Sequence, residues 1–100
     1  METARPPDIV FSLAGHDKGR EYIVLRTDGS YALIVDGKTR KLTNPKRKSL
    51  KHLCLGKTGS AELADALNAG KATDSAIRKE LAKFRSEAGM TEEGRQFVKR

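Results

Sequence analysis

The apolar residues change their spacing near residue 56, and this change constrains the fold more than any single motif does. Up to Leu55 they come in short β-branched or aromatic runs: Ile9–Leu13, Tyr22–Leu25, Tyr31–Val35 and Leu50–Leu55. Runs of this length and make-up read as strands. Between them stand Gly15 to Gly19, Asp28-Gly29, Asp36-Gly37 and Asn44-Pro45. Each is a turn signal, because Gly tolerates positive φ and Asp or Asn hydrogen-bonds its own turn. Four or five strands at roughly ten-residue spacing suggest a small barrel or sandwich. Closing such a sheet removes its edges and lets Val10, Leu13, Ile23, Leu25, Leu33, Val35 and Leu53 share one core. The expected architecture is a small SH3-like β-barrel over residues 8–55.

From Ser60 onward the spacing is helical. Leu63 and Leu67 are four apart, and Ile77, Leu81, Phe84 and Ala88 form one stripe. Ser60 is placed to cap a first helix that Asn68 to Gly70 ends. Thr73 or Asp74 is placed to cap a second, with Gly89 after its last turn. The chain therefore reads as mainly β with an α extension: a barrel, a linker at 56–60, two helices within 61–89, and a tail at 90–100 whose apolar pair is Phe97 and Val98.

Charge singles out part of the expected barrel. The 100-residue chain carries a formal +7, of which residues 1–55 hold +5 and residues 56–100 hold +2. Within residues 38–52 stand Lys38, Arg40, Lys41, Lys46, Arg47, Lys48 and Lys51 without one acid. A solubilising surface mixes signs, whereas an unmixed run repels itself and favours a polyanion. Read as exposed charges, these residues contribute little to folding. Only Tyr22 and Tyr31 accompany them, with no tryptophan, so recognition of backbone charge and shape is expected rather than stacking of many bases. Gly15 and Gly19 bracket Lys18 and precede Arg20, so this loop can bring amides and two cations to a phosphate; Gly19 can equally serve only the turn.

The segment Asp8-Ile9-Val10-Phe11-Ser12-Leu13-Ala14-Gly15-His16-Asp17-Lys18-Gly19-Arg20-Glu21-Tyr22-Ile23-Val24-Leu25 resembles a KOW motif, with Gly19 as its signature glycine. This motif is a strand-loop-strand unit of ribosomal proteins and transcription elongation factors. Ala32-Leu33-Ile34-Val35-Asp36-Gly37, then Arg40 through Lys48, then Leu50-Lys51-His52-Leu53, extend the likeness. Together they are similar to small bacterial KOW-domain RNA-binding proteins related to a eukaryotic-type large-subunit ribosomal protein family. The resemblance covers residues 8–55 and implies an SH3-like KOW domain that binds RNA through the loops beside the motif. The implied partner is ribosomal RNA, with contact to a ribosomal protein also open. Around Asp74-Ser75-Ala76-Ile77-Arg78 the likeness is loose and carries no function.

Other chemistries find little support in the residues. No nucleophile-base set or carboxylate pair has meaningful spacing, so neither an enzyme nor a small-molecule substrate is expected. Gly56-Lys57-Thr58 lacks the leading glycine of a phosphate-binding loop, since Lys51 occupies its place, and reads as linker. Cys54, His16 and His52 are too few for a typical structural zinc site, so no metal or cofactor is expected. The lone cysteine favours a cytoplasmic setting, and no apolar stretch signals a membrane. The expected protein is non-enzymatic, with Lys18, Gly19, Arg20, Lys38, Arg40, Lys41, Lys46, Arg47, Lys48 and Lys51 as its RNA-binding residues. Two alternatives use the helices. Arg78, Lys79, Lys83 and Arg85 could serve a DNA-binding helix-turn-helix, although Glu80 and Glu87 interrupt that surface. The stripe Ile77, Leu81 and Phe84 could meet a protein partner, or simply dock on the barrel.

Overall fold

A computed structural model describes residues 5–88. Five strands form one antiparallel sheet: β1 (Ile9–Ser12), β2 (Glu21–Asp28), β3 (Tyr31–Val35), β4 (Lys46–Ser49) and β5 (Leu53–Lys57). Two helices follow, α1 (Ala61–Asn68) and α2 (Asp74–Glu87). The strand order is β4-β3-β2-β1-β5, and among the described residues no ladder joins β4 to β5. The sheet is thus not closed into the expected barrel.

The physical reason lies in the apolar runs, which are continuous rather than alternating. Successive side chains on a strand point to opposite faces, so a run such as Tyr22-Ile23-Val24 makes both faces apolar. Val10, Tyr22, Val24, Ala32, Ile34 and Leu53 cluster on one face, with Leu50 packed against them. Ile9, Ile23 and Val35 belong to a second cluster, completed by Leu63 of α1 and Ile77, Leu81 and Phe84 of α2. The helices cover the face that a single barrel interior would have left wet. Leu25 is half-buried against that second cluster. Leu33 is also only half-buried, and Leu13 is 49% exposed, so the expected single core is replaced by two.

The expected strand Leu50–Leu55 divides. Leu50–His52 form a 3-10 turn, and β5 begins at Leu53 and runs through Gly56 and Lys57. The helix caps fall at the expected residues. Ser60 Oγ accepts from the Leu63 amide at 3.1 Å, and Thr73 Oγ1 accepts from the Ala76 amide at 3.1 Å. Ser60 also ties the helices together: its hydroxyl and amide donate to the two carboxylate oxygens of Glu80, at 3.0 and 2.8 Å. The stripe Ile77, Leu81 and Phe84 is buried against the sheet, with Phe84 5.7 Å from Phe11 between ring centroids. Gly89 and the tail fall outside the described residues.

Candidate nucleic-acid interface

The β1–β2 loop turns on Gly15 and Gly19, both at positive φ (86° and 87°). The amides of Lys18, Gly19 and Arg20 donate to the carbonyls of Gly15, Ser12 and Asp17 at 3.2, 2.8 and 3.0 Å. These amides close the loop on itself and are not turned to a ligand. Space beside Gly19 is open, so its glycine serves the backbone angle and not a close approach. Of the loop's expected contributors, Lys18 stays exposed and Arg20 is half-exposed.

At the loop's centre Asp17 is buried, 6% exposed, beneath cations from a distant strand. Its carboxylate accepts from Lys48 Nζ at 2.9 Å and Ser12 Oγ at 2.8 Å, and Lys46 Nζ lies at 3.1 Å. Burial alone would raise this carboxyl; the bonds from Lys48, Ser12 and Lys46 overcome that and hold it well below the usual carboxylate range. The Tyr22 hydroxyl donates to Asp17 at 3.4 Å, and burial together with the Asp17 charge pushes it up to about 12. Lys48, itself 9% exposed, also donates to the Ala14 carbonyl at 2.7 Å.

This network corrects the expectation that the basic run is uniformly exposed and energetically idle. The run Lys46-Arg47-Lys48-Ser49 is a strand, β4, in which Lys46 and Lys48 share one face and Arg47 takes the other. Lys48 therefore belongs to the fold, and Lys46 is half-buried beside it. Arg47 alone of the three is exposed, and its guanidinium lies 3.8 Å above the centre of the Tyr31 ring.

The β3–β4 loop presents Lys38, Arg40 and Lys41 from an anchored base. Asp36 accepts from the amides of Lys38 (2.9 Å) and Arg40 (2.8 Å) and from the Thr39 hydroxyl (2.8 Å). Burial opposes its charge, but these bonds and nearby Arg20 keep its carboxyl below the ordinary value. Gly37, at φ 78°, abuts α2: an added Cβ would lie 2.6 Å from the Asp74 carbonyl oxygen and 2.8 Å from Arg78 Cγ. The Gly37 carbonyl accepts from Arg78 at 2.6 Å, and the Leu42 amide donates to Asp74 at 2.8 Å. Gly37→Ala is expected to lower stability by about 2 kcal/mol, against about 1 kcal/mol for Gly19→Ala, because only the first adds a clash to the backbone strain. Thermal unfolding of both variants checks this; equal shifts would mean that the loop does not dock on α2.

The site residues thus fall into groups. Arg20 reaches Asp36 at 3.9 Å, which brings the β1–β2 loop beside the β3–β4 loop. Lys18, Arg20, Lys38, Arg40 and Lys41 are carried by these two loops. Arg47 and Lys51 lie toward the β2–β3 turn, where Arg47 meets Tyr31 and the Leu50 amide bonds the Ser30 carbonyl. Of the helix cations considered for DNA, Arg85 donates to Glu21 of β2 at 2.5 Å and Arg78 to the Gly37 carbonyl of the β3–β4 loop. Charge type alone could not distinguish Arg85, which is half-buried, from Arg78, Lys79 and Lys83, which are exposed. Lys57, in the segment read as linker, pairs with Glu87 at 2.6 Å and draws that carboxyl below its ordinary value. His52 and Cys54 are exposed, and among the described residues no three His, Cys, Asp or Glu side chains gather as a metal set. Nor is any described helix long and apolar enough to cross a membrane.

No protein-family model matches the chain, and no curated protein matches it.

Proposed function

We propose that the chain is a non-enzymatic RNA-binding protein of the KOW type, an SH3-like domain that grips the RNA backbone and belongs with ribosomal RNA in the cytoplasm. One observation carries the reading. Among the described residues Lys18, Lys38, Arg40, Lys41, Arg47 and Lys51 have no carboxylate within ion-pair distance, while every other cation in residues 18–51 except Arg26 is paired. Unpaired cations on anchored loops and a strand supply phosphate contacts without needing to reorder the backbone. Arg47 over Tyr31 adds one flat cationic surface, in keeping with recognition of shape more than of sequence. Lys46 and Lys48 act here as positioning residues through Asp17. Gly19 shapes the loop that carries Lys18.

The test replaces Lys41, Arg47 and Lys51 together by Ala and measures binding to a ribosomal RNA hairpin by fluorescence anisotropy across a salt series. Affinity should fall at least about tenfold, and the salt slope should become shallower by about two to three units. Stability should stay within about 0.5 kcal/mol of the parent, since these three side chains are exposed. An unchanged slope would assign them to a merely solvated surface.

A further inference from the structure

Where the β1–β2 loop, the β3–β4 loop and α2 converge, a cleft is lined by Arg20, Lys38, Arg78 and Arg85 around Glu21 and Asp36. Four cations and two carboxylates leave an excess of two positive charges in one concavity, which favours an anion. The four cations differ in what holds them. Arg85 is matched by buried Glu21 at 2.5 Å. Arg20 approaches Asp36 only at 3.9 Å, and that carboxylate already accepts two amides and a hydroxyl. Arg78 donates one N–H to the Gly37 carbonyl at 2.6 Å, a neutral acceptor that fixes the guanidinium without cancelling its charge. Among the described residues neither Arg78 nor Lys38 has a carboxylate within ion-pair distance.

A guanidinium fixed by one bond keeps further N–H donors in a rigid plane, which suits the paired oxygens of a phosphate. We propose that this cleft seats a phosphate group, with Arg78 and Arg20 gripping its oxygens, Lys38 adding charge at the rim, and the Arg85–Glu21 pair holding the floor. The inference rests on the RNA reading and deepens it: the phosphate is one of the RNA backbone, so α2 takes part in binding.

The experiment uses the full chain with two probes, a fluorescein-labelled ribosomal RNA hairpin and inorganic phosphate. Anisotropy reads affinity, and the Nε–H resonances of the arginines read contact. Arg78→Gln should weaken hairpin binding about five- to tenfold and flatten the salt slope by about one unit. Arg78→Lys, which keeps the charge but not the planar pair of donors, should recover only part of the affinity. Lys79→Gln, next along α2 and outside the cleft, should change it less than about twofold. In the parent chain the hairpin should shift the Arg78 and Arg20 resonances, a readout that does not depend on any variant folding.

Parent-like binding by Arg78→Gln, alongside weak binding by the Lys41, Arg47 and Lys51 triple variant, would overturn the cleft and leave the RNA reading intact. If the hairpin fails to bind at low salt while inorganic phosphate moves the Arg78 and Arg20 signals, the cleft stands as a site for free phosphate and the RNA reading falls. If neither probe moves them, the cleft is overturned.

Discussion

Asp17→Ala should destabilise the fold by about 3–5 kcal/mol, a large effect for a loop aspartate. The carboxylate is buried and meets Lys48 at 2.9 Å, Lys46 at 3.1 Å and Ser12 at 2.8 Å. Removing it strands the buried Lys48 ammonium, with only the Ala14 carbonyl at 2.7 Å to receive it. An uncompensated buried charge costs far more than the pair contributes, so the second variant is the informative one. Adding Lys48→Met to Asp17→Ala removes the stranded charge and should recover at least half of the loss. Urea unfolding measures both; a loss below about 1 kcal/mol for Asp17→Ala would show that the network is wet.

The same carboxylate sets an acid limb. Its folded value lies well below the ordinary one, so its contribution is complete above the unfolded value of about 3.9 and disappears as pH falls through the folded value. The stability gap between parent and Asp17→Ala should therefore be flat from about pH 5 to 8 and narrow below about pH 4.

Asp17 and its partners also separate what is legible in the sequence from what is not. β1, β2 and β3 are legible because their apolar runs are bounded by glycine turns, and α1 and α2 because Ser60 and Thr73 stand before periodic stripes. β4 is not, since Lys46-Arg47-Lys48-Ser49 carries no apolar signal; it pairs with β3, and the partner that lets Lys48 be buried there is Asp17, far back in the chain. The pairs Arg85 with Glu21 and Arg78 with Gly37 are equally non-local, so helix cations that look alike in sequence part company in the fold. The open sheet does leave a trace. Adjacent apolar residues such as Ile9-Val10 and Ile34-Val35 demand cover on both faces, and the stripe on α2 is the available cover. Of the candidate site, the cations are legible as a composition; which of them are unpaired is set by contacts between distant segments.

Leu81→Ala should destabilise the chain by about 3 kcal/mol. Leu81 is 2% exposed and shares a cluster with Ile77 and Phe84 of its own helix and Ile9, Ile23 and Val35 of the sheet. Truncation removes buried methyl groups and leaves a cavity that strands on one side and a helix on the other cannot both close. The consequence reaches beyond one side chain, because Ile9, Ile23 and Val35 are covered by the helices and would be wetted without them. Sheet and helices should accordingly unfold together. Helical ellipticity and near-ultraviolet signals from Tyr22 in β2 and Tyr31 in β3 should report one transition, shifted equally in the variant. Lys79→Ala, on the exposed side of α2, should stay within about 0.5 kcal/mol of the parent. Loss of helix at an unchanged sheet transition would separate the two halves. It would also free the stripe of Ile77, Leu81 and Phe84 to meet another protein. A joint shift instead ties the loops on α2, and the cations they carry, to the integrity of this one apolar seam.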